Sequence, residues 1–206
     1  MMQFQSEYVK NRFPLYFRVG NCFRYRRVQY FLKEFCVSGN EKILDVGGEP
    51  YFWEQIDRVK NITILNLHKV IGNEKIKSCQ YDGGRFPFSD GEYDIVFSNS
   101  TIEHVGGFLD QKLFAREIQR VGKRYFVQVP SYWFPYEPHA HILFFQFFSS
   151  PIKIVLRKLY PKSTYAIEDL LNVRLLTKSE LKILFPNTRI ITERCAFLPK
   201  SYYVVK

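Results

Sequence analysis

The sequence predicts an α/β fold with a doubly wound, mostly parallel sheet. Three observations carry that expectation. Short apolar runs alternate with helical segments from Lys42 onward, the run "ILDV" feeds directly into the Gly47–Gly48 turn, and an amphipathic segment precedes the first strand. Strands that alternate with helices are joined by crossover connections, which makes neighbouring strands parallel.

Taken in order, Val28, Phe31, Leu32 and Phe35 fall at i, i+3, i+4 and i+7, so residues 1–40 read as a helical cover ending in the turn "SGNEK". Residues 41–130 form the core of the pattern: "KILDV", a helix from about Pro50, "ITILNL", "IKSCQY", "YDIVFSN", a helix over Phe108 to Arg120, and "RYFVQV". Residues 131–165 carry Pro135, Pro138, Pro151 and Pro161 among dense aromatics and read as an insertion or lid after the fifth strand. Over 166–206, Thr177 and Glu180 have the spacing of a capping box, and "RIITERCAFL" and "SYYVVK" read as an antiparallel closing pair. At 206 residues the chain is read as a single domain.

The balance of 30 Lys plus Arg against 20 Asp plus Glu gives +10, which favours anionic partners without naming one. Cys22, Cys36, Cys79 and Cys195 are scattered with no C-x-x-C pair, as expected of reduced thiols in a cytoplasmic protein. Glu7, Lys10, Arg12 and Arg18 interrupt the N-terminal stretch, so no secretory apolar segment is expected there. No uninterrupted apolar run reaches the roughly 18 residues of a spanning helix.

In an open parallel sheet, ligands bind at the carboxyl ends of the strands, and the first turn is the usual place. A dinucleotide site needs G-x-G-x-x-G with an acidic residue closing the second strand. Here the glycines are adjacent and the second strand ends at Asn66. Pro50 suits a first helical position, where its missing N–H costs nothing, and Glu49 suits the positive end of the helix.

The ordered run Asp45-Val46-Gly47-Gly48, then "YDGGRFPFSDGEYDIVFSNSTIEHV", resembles the motif series of class I S-adenosylmethionine-dependent methyltransferases. The likeness covers roughly residues 41–130 and is similar to the small bacterial, type 11 group. It implies a Rossmann-like domain with S-adenosyl-L-methionine as cofactor. It also implies a cofactor face built from Asp45, Gly47, Gly48, Glu49, Asn66, Asp82, Gly83, Ser98 and Asn99. Within that set, Asp45 and Gly47 face the methionine end, Asn66 stands where the family has an acidic residue for the ribose, and Asp82 with Gly83 meets the adenine edge. Glu49 departs from the family's small residue.

Methyl transfer needs alignment, exclusion of water and, for a hydroxyl acceptor, a base. The catalytic candidates are His104 and Glu103, just past the fourth strand in "TIEHV", and His139 in "YEPHAH". Glu137 and His139 alone do not make a metal site, and no metal is assigned. By comparison with the family, the absence of a P-P-Y motif after the fourth strand and of a Pro-Cys pair points away from DNA modification. A small-molecule, sugar or lipid-linked acceptor, methylated at oxygen, is the leading expectation. An RNA methyltransferase and a catalytically inactive binding module are the alternatives, with nucleic acid the lesser partner. Tyr132, Trp133, Phe134, Phe144, Phe145, Phe147 and Phe148, followed by Lys153, Arg157, Lys158 and Lys162, read either as a surface for an anionic membrane or as extra core.

Overall fold

The computed structural model describes residues 14–54, 56–160, 163 and 165–206. The chain forms two compact units, one ending at Ser38 and the other spanning Gly39–Lys206. Glu7, Lys10, Arg12 and Lys162, which entered the sequence reading, lie outside the described residues.

The first unit is built on helix α1 (Pro14–Glu34). Phe31, Leu32 and Phe35 are buried, with the Phe31 and Phe35 rings 5.2 Å apart, as the i, i+4 spacing predicts. Cys36 at φ +48° turns the chain left-handed, and the Val37 amide donates back to the Leu32 carbonyl at 3.0 Å, which satisfies an orphan carbonyl at the helix end.

The second unit is a seven-stranded sheet in the order β3-β2-β1-β4-β5-β9-β8. Its strands are β1 (Lys42–Val46), β2 (Asn61–Asn66), β3 (Ile76–Gln80), β4 (Tyr93–Asn99), β5 (Gly122–Pro130), β8 (Arg189–Cys195) and β9 (Leu198–Val205). The first five pair in parallel, and β9 runs antiparallel to both β5 and β8. The closing pair is therefore the antiparallel hairpin the sequence suggests, with its second strand against the parallel core.

The central strands are apolar throughout because both their faces are covered. Ile43, Leu44 and Val46 in β1 and Ile95, Val96 and Phe97 in β4 are all essentially inaccessible to solvent. Helix α3 (Phe108–Val121), at the predicted boundaries, buries Phe114, Ala115, Ile118 and Val121. The first crossover helix, α2 (Pro50–Glu54), is short and begins at the proline, where a missing N–H is harmless.

Strand order moves outward from β1 to β3 and then restarts at β4 on the other side of β1. The carboxyl ends of β1 and β4 thus flank the switch point, where two connections diverge and leave a crevice.

Residues 131–165 hold more regular structure than their prolines suggest. A two-stranded hairpin, β6 (Tyr136–Glu137) with β7 (Ile142–Leu143), is followed by a 3₁₀ turn at Phe145–Phe147 and helix α4 (Ser150–Leu159). Pro151 lies in the first turn of α4, so a residue that reads as a breaker is a start signal. Ala140, Phe145 and Leu170 form a small core here, the last from helix α5 (Ile167–Asn172), with Ile142, Leu156 and Tyr165 packed on it. Helix α6 (Lys178–Leu184) opens with the predicted box: Glu180 N–H donates to Thr177 Oγ1 at 3.2 Å and Thr177 N–H donates to Glu180 Oε2 at 2.8 Å.

Candidate active site

The turn after β1 is held from below and from the side. Gly47 adopts φ +76°, and its amide donates to the Leu65 carbonyl of β2 at 2.8 Å. A side chain on Gly47 would meet Thr101 Cγ2 at 2.4 Å, and one on Gly48 would fall 1.7 Å from Asp45 Oδ2. Packing therefore excludes a side chain at either glycine, and Gly47 is required by conformation as well.

Asp45, buried at the end of β1, accepts the Trp53 indole N–H at 2.6 Å. Burial lifts its carboxyl pKa to about 7, while the Trp53 bond works the other way and the Glu49 charge adds to the rise. Trp53 is itself fixed by edge contacts to Phe52 and Phe97 with ring centroids 5.0 and 5.1 Å away. The aromatic pair after the turn is its brace.

On the β4 side, the hydroxyls of Ser98 and Thr101 both donate to the Val46 carbonyl, at 3.2 and 3.1 Å. Asn99 closes the strand in register with Gln128 of β5. On the β2 side, Asn66 donates from Nδ2 to the Gly48 carbonyl at 3.1 Å and accepts the Leu67 amide on Oδ1 at 2.8 Å. Its amide ties β2 to the glycine turn. Glu49 turns toward His68, with Oε1 3.2 Å from Nε2. Asp82 is exposed, its Oδ1 accepting the Gly84 amide at 2.9 Å beside Gly83 at φ +92°.

Beyond Thr101 the chain makes a 3₁₀ turn, Ile102–His104. Its backbone is fixed by Gln111 Nε2 donating to the Ile102 carbonyl at 3.1 Å and the Arg174 amide donating to the Glu103 carbonyl at 2.8 Å. Glu103 is fully buried there.

His139 arrives from the insertion, and its ring centroid lies 4.8 Å from that of His104, edge to face. The ligand-capable atoms of Glu103, His104 and His139 all lie within 4.8 Å of one another. Three candidates drawn from two segments 35 residues apart thus meet at one point. Tyr165 closes the group, its ring 5.3 Å from His139 and 6.4 Å from His104.

Glu137 sets the orientation of His139. Its Oε1 is 2.6 Å from His139 Nδ1, and its Oε2 accepts the amides of His139 and Ala140 at 2.8 and 2.5 Å. Burial alone would discharge His139, but the Glu137 bond and charge, with Glu103 adding to them, hold its pKa above the ordinary histidine value. Against its own burial, the same bond keeps Glu137 below the usual carboxylate range. His104 goes the other way: desolvation first, then the neighbouring His139 charge, pull its pKa well down.

His141 stands apart, its Nδ1 2.9 Å from the Tyr136 hydroxyl. The sequence reading assigns no role to Trp53, Thr101 or Tyr165, and weighs Glu137 as a metal partner of His139. For Trp53 and Glu137 a signal was present: an indole eight residues past the strand-end acid, and a carboxylate two residues before a histidine.

Residues 55–125 match the family model described as "Methyltransferase domain". The match spans about a third of the chain. Solved structures share the architecture of the sheet and its flanking helices. A SAM dependent methyltransferase from Aquifex aeolicus is 14% identical, with 86% of this chain and 88% of that one covered at a TM-score of 0.50. A SAM-dependent methyltransferase from Anabaena variabilis is 11% identical, with coverages of 90% and 84% and a TM-score of 0.54. A chain of the complex between the Haloferax volcanii Trm112 methyltransferase activator and a methyltransferase is 10% identical, with coverages of 98% and 92% and a TM-score of 0.55. At these identities the likeness is one of fold. No curated protein matches the chain in sequence at a significant level.

S-adenosylmethionine is the cofactor that the methyltransferase resemblance implies, and the residues at the carboxyl edge fit it. Gly47 and Gly48 leave bare backbone at the first turn, where any larger residue would collide. Asp82, exposed past the end of β3, offers a carboxylate beside a second glycine with positive φ. When bound, the cofactor supplies an activated methyl group on sulfur.

Proposed function

We propose that this domain methylates an oxygen of a small-molecule, sugar or lipid-linked acceptor, with Glu103, His104 and His139 at the reacting end. The observation that carries this reading is their convergence directly after Thr101, the residue that packs against Gly47. Asp45, Gly47, Gly48, Glu49, Asn66, Asp82, Gly83, Ser98 and Asn99 form the cofactor side. Some of these act by contact and some, such as Asn66 and Asp45, by fixing the turn.

An oxygen acceptor is favoured because a hydroxyl must lose its proton during transfer, and this group gathers two imidazoles and a buried carboxylate where that is needed. Glu137 and Tyr165 are positioning residues: they hold the His139 ring in place.

A lipid-linked acceptor is supported by the exposed apolar surface of the insertion. Ile152, Val155 and Leu159 of α4 are exposed, as are Trp133, Phe144 and Phe147. Lys158 and the half-buried Lys153 lie on the same helix, a combination that suits an anionic bilayer surface. Among the described residues no helix is long and apolar enough to cross a membrane.

The test is transfer of label from methyl-tritiated S-adenosylmethionine to glycans and to lipid-linked sugars in anionic vesicles, with Asp82→Ala as the control. Base-stable label in the sugar or lipid fraction, lost in the control, supports the reading. Label that goes to RNA instead, with strong salt dependence, overturns it.

A further inference from the structure

The group at Glu103 has the donor set of a metal centre. We propose that Glu103, His104 and His139 bind one first-row divalent cation, leaving open coordination positions for water or an oxygen of the acceptor. This deepens the reading above and rests on it only for what the cation is used for; binding itself needs neither cofactor nor acceptor.

Four features carry the proposal. Two imidazoles and one carboxylate from three residues make the open, three-ligand set typical of catalytic rather than structural sites. All three ligand-capable atoms lie within 4.8 Å of one another. A tetrahedral ion would draw such atoms to about 3.4 Å apart. His104 keeps an exposed edge although His139 and Tyr165 pack on its ring, which makes it the member left to shift, whereas Glu103 is held by its turn and His139 by its hairpin.

The second sphere is also in place. Glu137 engages His139 Nδ1 at 2.6 Å and leaves Nε2 as the ligand atom, the carboxylate–histidine arrangement that orients and strengthens a metal-bound imidazole. Finally, the backbone behind Glu103 is tied to two separate elements, through Gln111 on α3 and Arg174 before α6. In the sequence, Glu137 and His139 look like a two-residue metal pair lacking partners. In the fold Glu137 stands behind His139, and the missing ligands come from the turn after β4.

Imidazole donors select against Mg²⁺ and Ca²⁺ and favour Zn²⁺, Fe²⁺ or Ni²⁺, for which Co²⁺ is a spectroscopically visible stand-in. The probe is Co²⁺, added to the full chain after dialysis against a chelator and followed by its visible absorption. One equivalent bound, without the thiolate charge-transfer band that Cys22 or Cys36 would give, is the expected result.

His104→Ala should weaken Co²⁺ binding at least tenfold while the near-ultraviolet circular dichroism stays intact. Glu137→Gln, a near-isosteric change at a buried residue that is not itself a ligand, is the second check: with the same circular dichroism control it should cost about 10–100-fold in affinity. Absorption that survives both His104→Ala and Glu137→Gln, or no Co²⁺ binding at all by the folded parent, overturns the proposal. The cofactor reading is scored separately by S-adenosylhomocysteine calorimetry: Co²⁺ bound without S-adenosylhomocysteine leaves the metal site standing and removes the function built on it.

Discussion

The Trp53 indole donates to Asp45 Oδ2 at 2.6 Å beneath the glycine turn, joining the first strand to the helix that follows. This bond keeps a buried carboxyl oriented, while the burial of that carboxyl, against the pull of the bond, makes the stability of the fold depend on pH. Asp45 has a folded pKa of about 7 against an ordinary 3.8. Below pH 4 it is protonated in both states, and its contribution to stability is fully present. As pH rises toward 7 the unfolded chain ionises while the folded one holds its proton, so stability falls, by about 4 kcal/mol across the window for a shift of this size. Asp45→Asn should flatten that slope, as measured by urea unfolding at a series of pH values. An unchanged slope would mean that Asp45 titrates normally.

Gly48 should not tolerate alanine. Its missing side chain is where Asp45 Oδ2 lies, 1.7 Å from an ideal Cβ, so the turn must move. Overpacking of this kind costs about 1–3 kcal/mol. The penalty should shrink when Gly48→Ala is made in an Asp45→Ala background, because the colliding carboxylate is gone. A urea-unfolding double-mutant cycle reads that coupling directly. Additive effects would place the strain elsewhere.

Asn66 shows where sequence reading stops. Its position at the end of the second strand follows from the apolar run before it, but the use of its amide depends on the Gly48 carbonyl, 18 residues away in the chain. Asn66→Asp, which restores the family's usual acid, should therefore weaken rather than improve cofactor affinity. It removes the donor to Gly48 and sets a carboxylate against a carbonyl oxygen. Calorimetry with S-adenosylhomocysteine checks the sign.

The seven strands of the main sheet, the helix Phe108–Val121 and the Thr177–Glu180 box were legible because each is written in local periodicity or in a three-residue spacing. The box allows a quantitative check: Thr177→Ala should cost about 1 kcal/mol in chemical denaturation. The meeting of His104 with His139 was not legible, since it depends on how the insertion folds back. Helix α4 was hidden by Pro151, whose meaning reverses between a helix interior and a helix start.

That helix sets the last expectation. On its apolar stripe Leu156 is partly buried against the small core, while Ile152, Val155 and Leu159 remain exposed. A stripe that served only the fold would not leave three large aliphatic side chains in water, with Phe144, Phe147 and Trp133 exposed in the same insertion. Changing Ile152, Val155 and Leu159 together to serine should leave thermal stability within a few degrees, because none is buried. The same change should abolish sedimentation with vesicles containing anionic lipid. Parent protein that fails to sediment with such vesicles at low salt would refute the membrane surface, and a large loss of stability in the triple variant would show that the stripe is covered by the protein itself. If sedimentation is lost and folding is not, soluble glycan acceptors should be methylated by parent and variant alike, while lipid-linked acceptors should separate them.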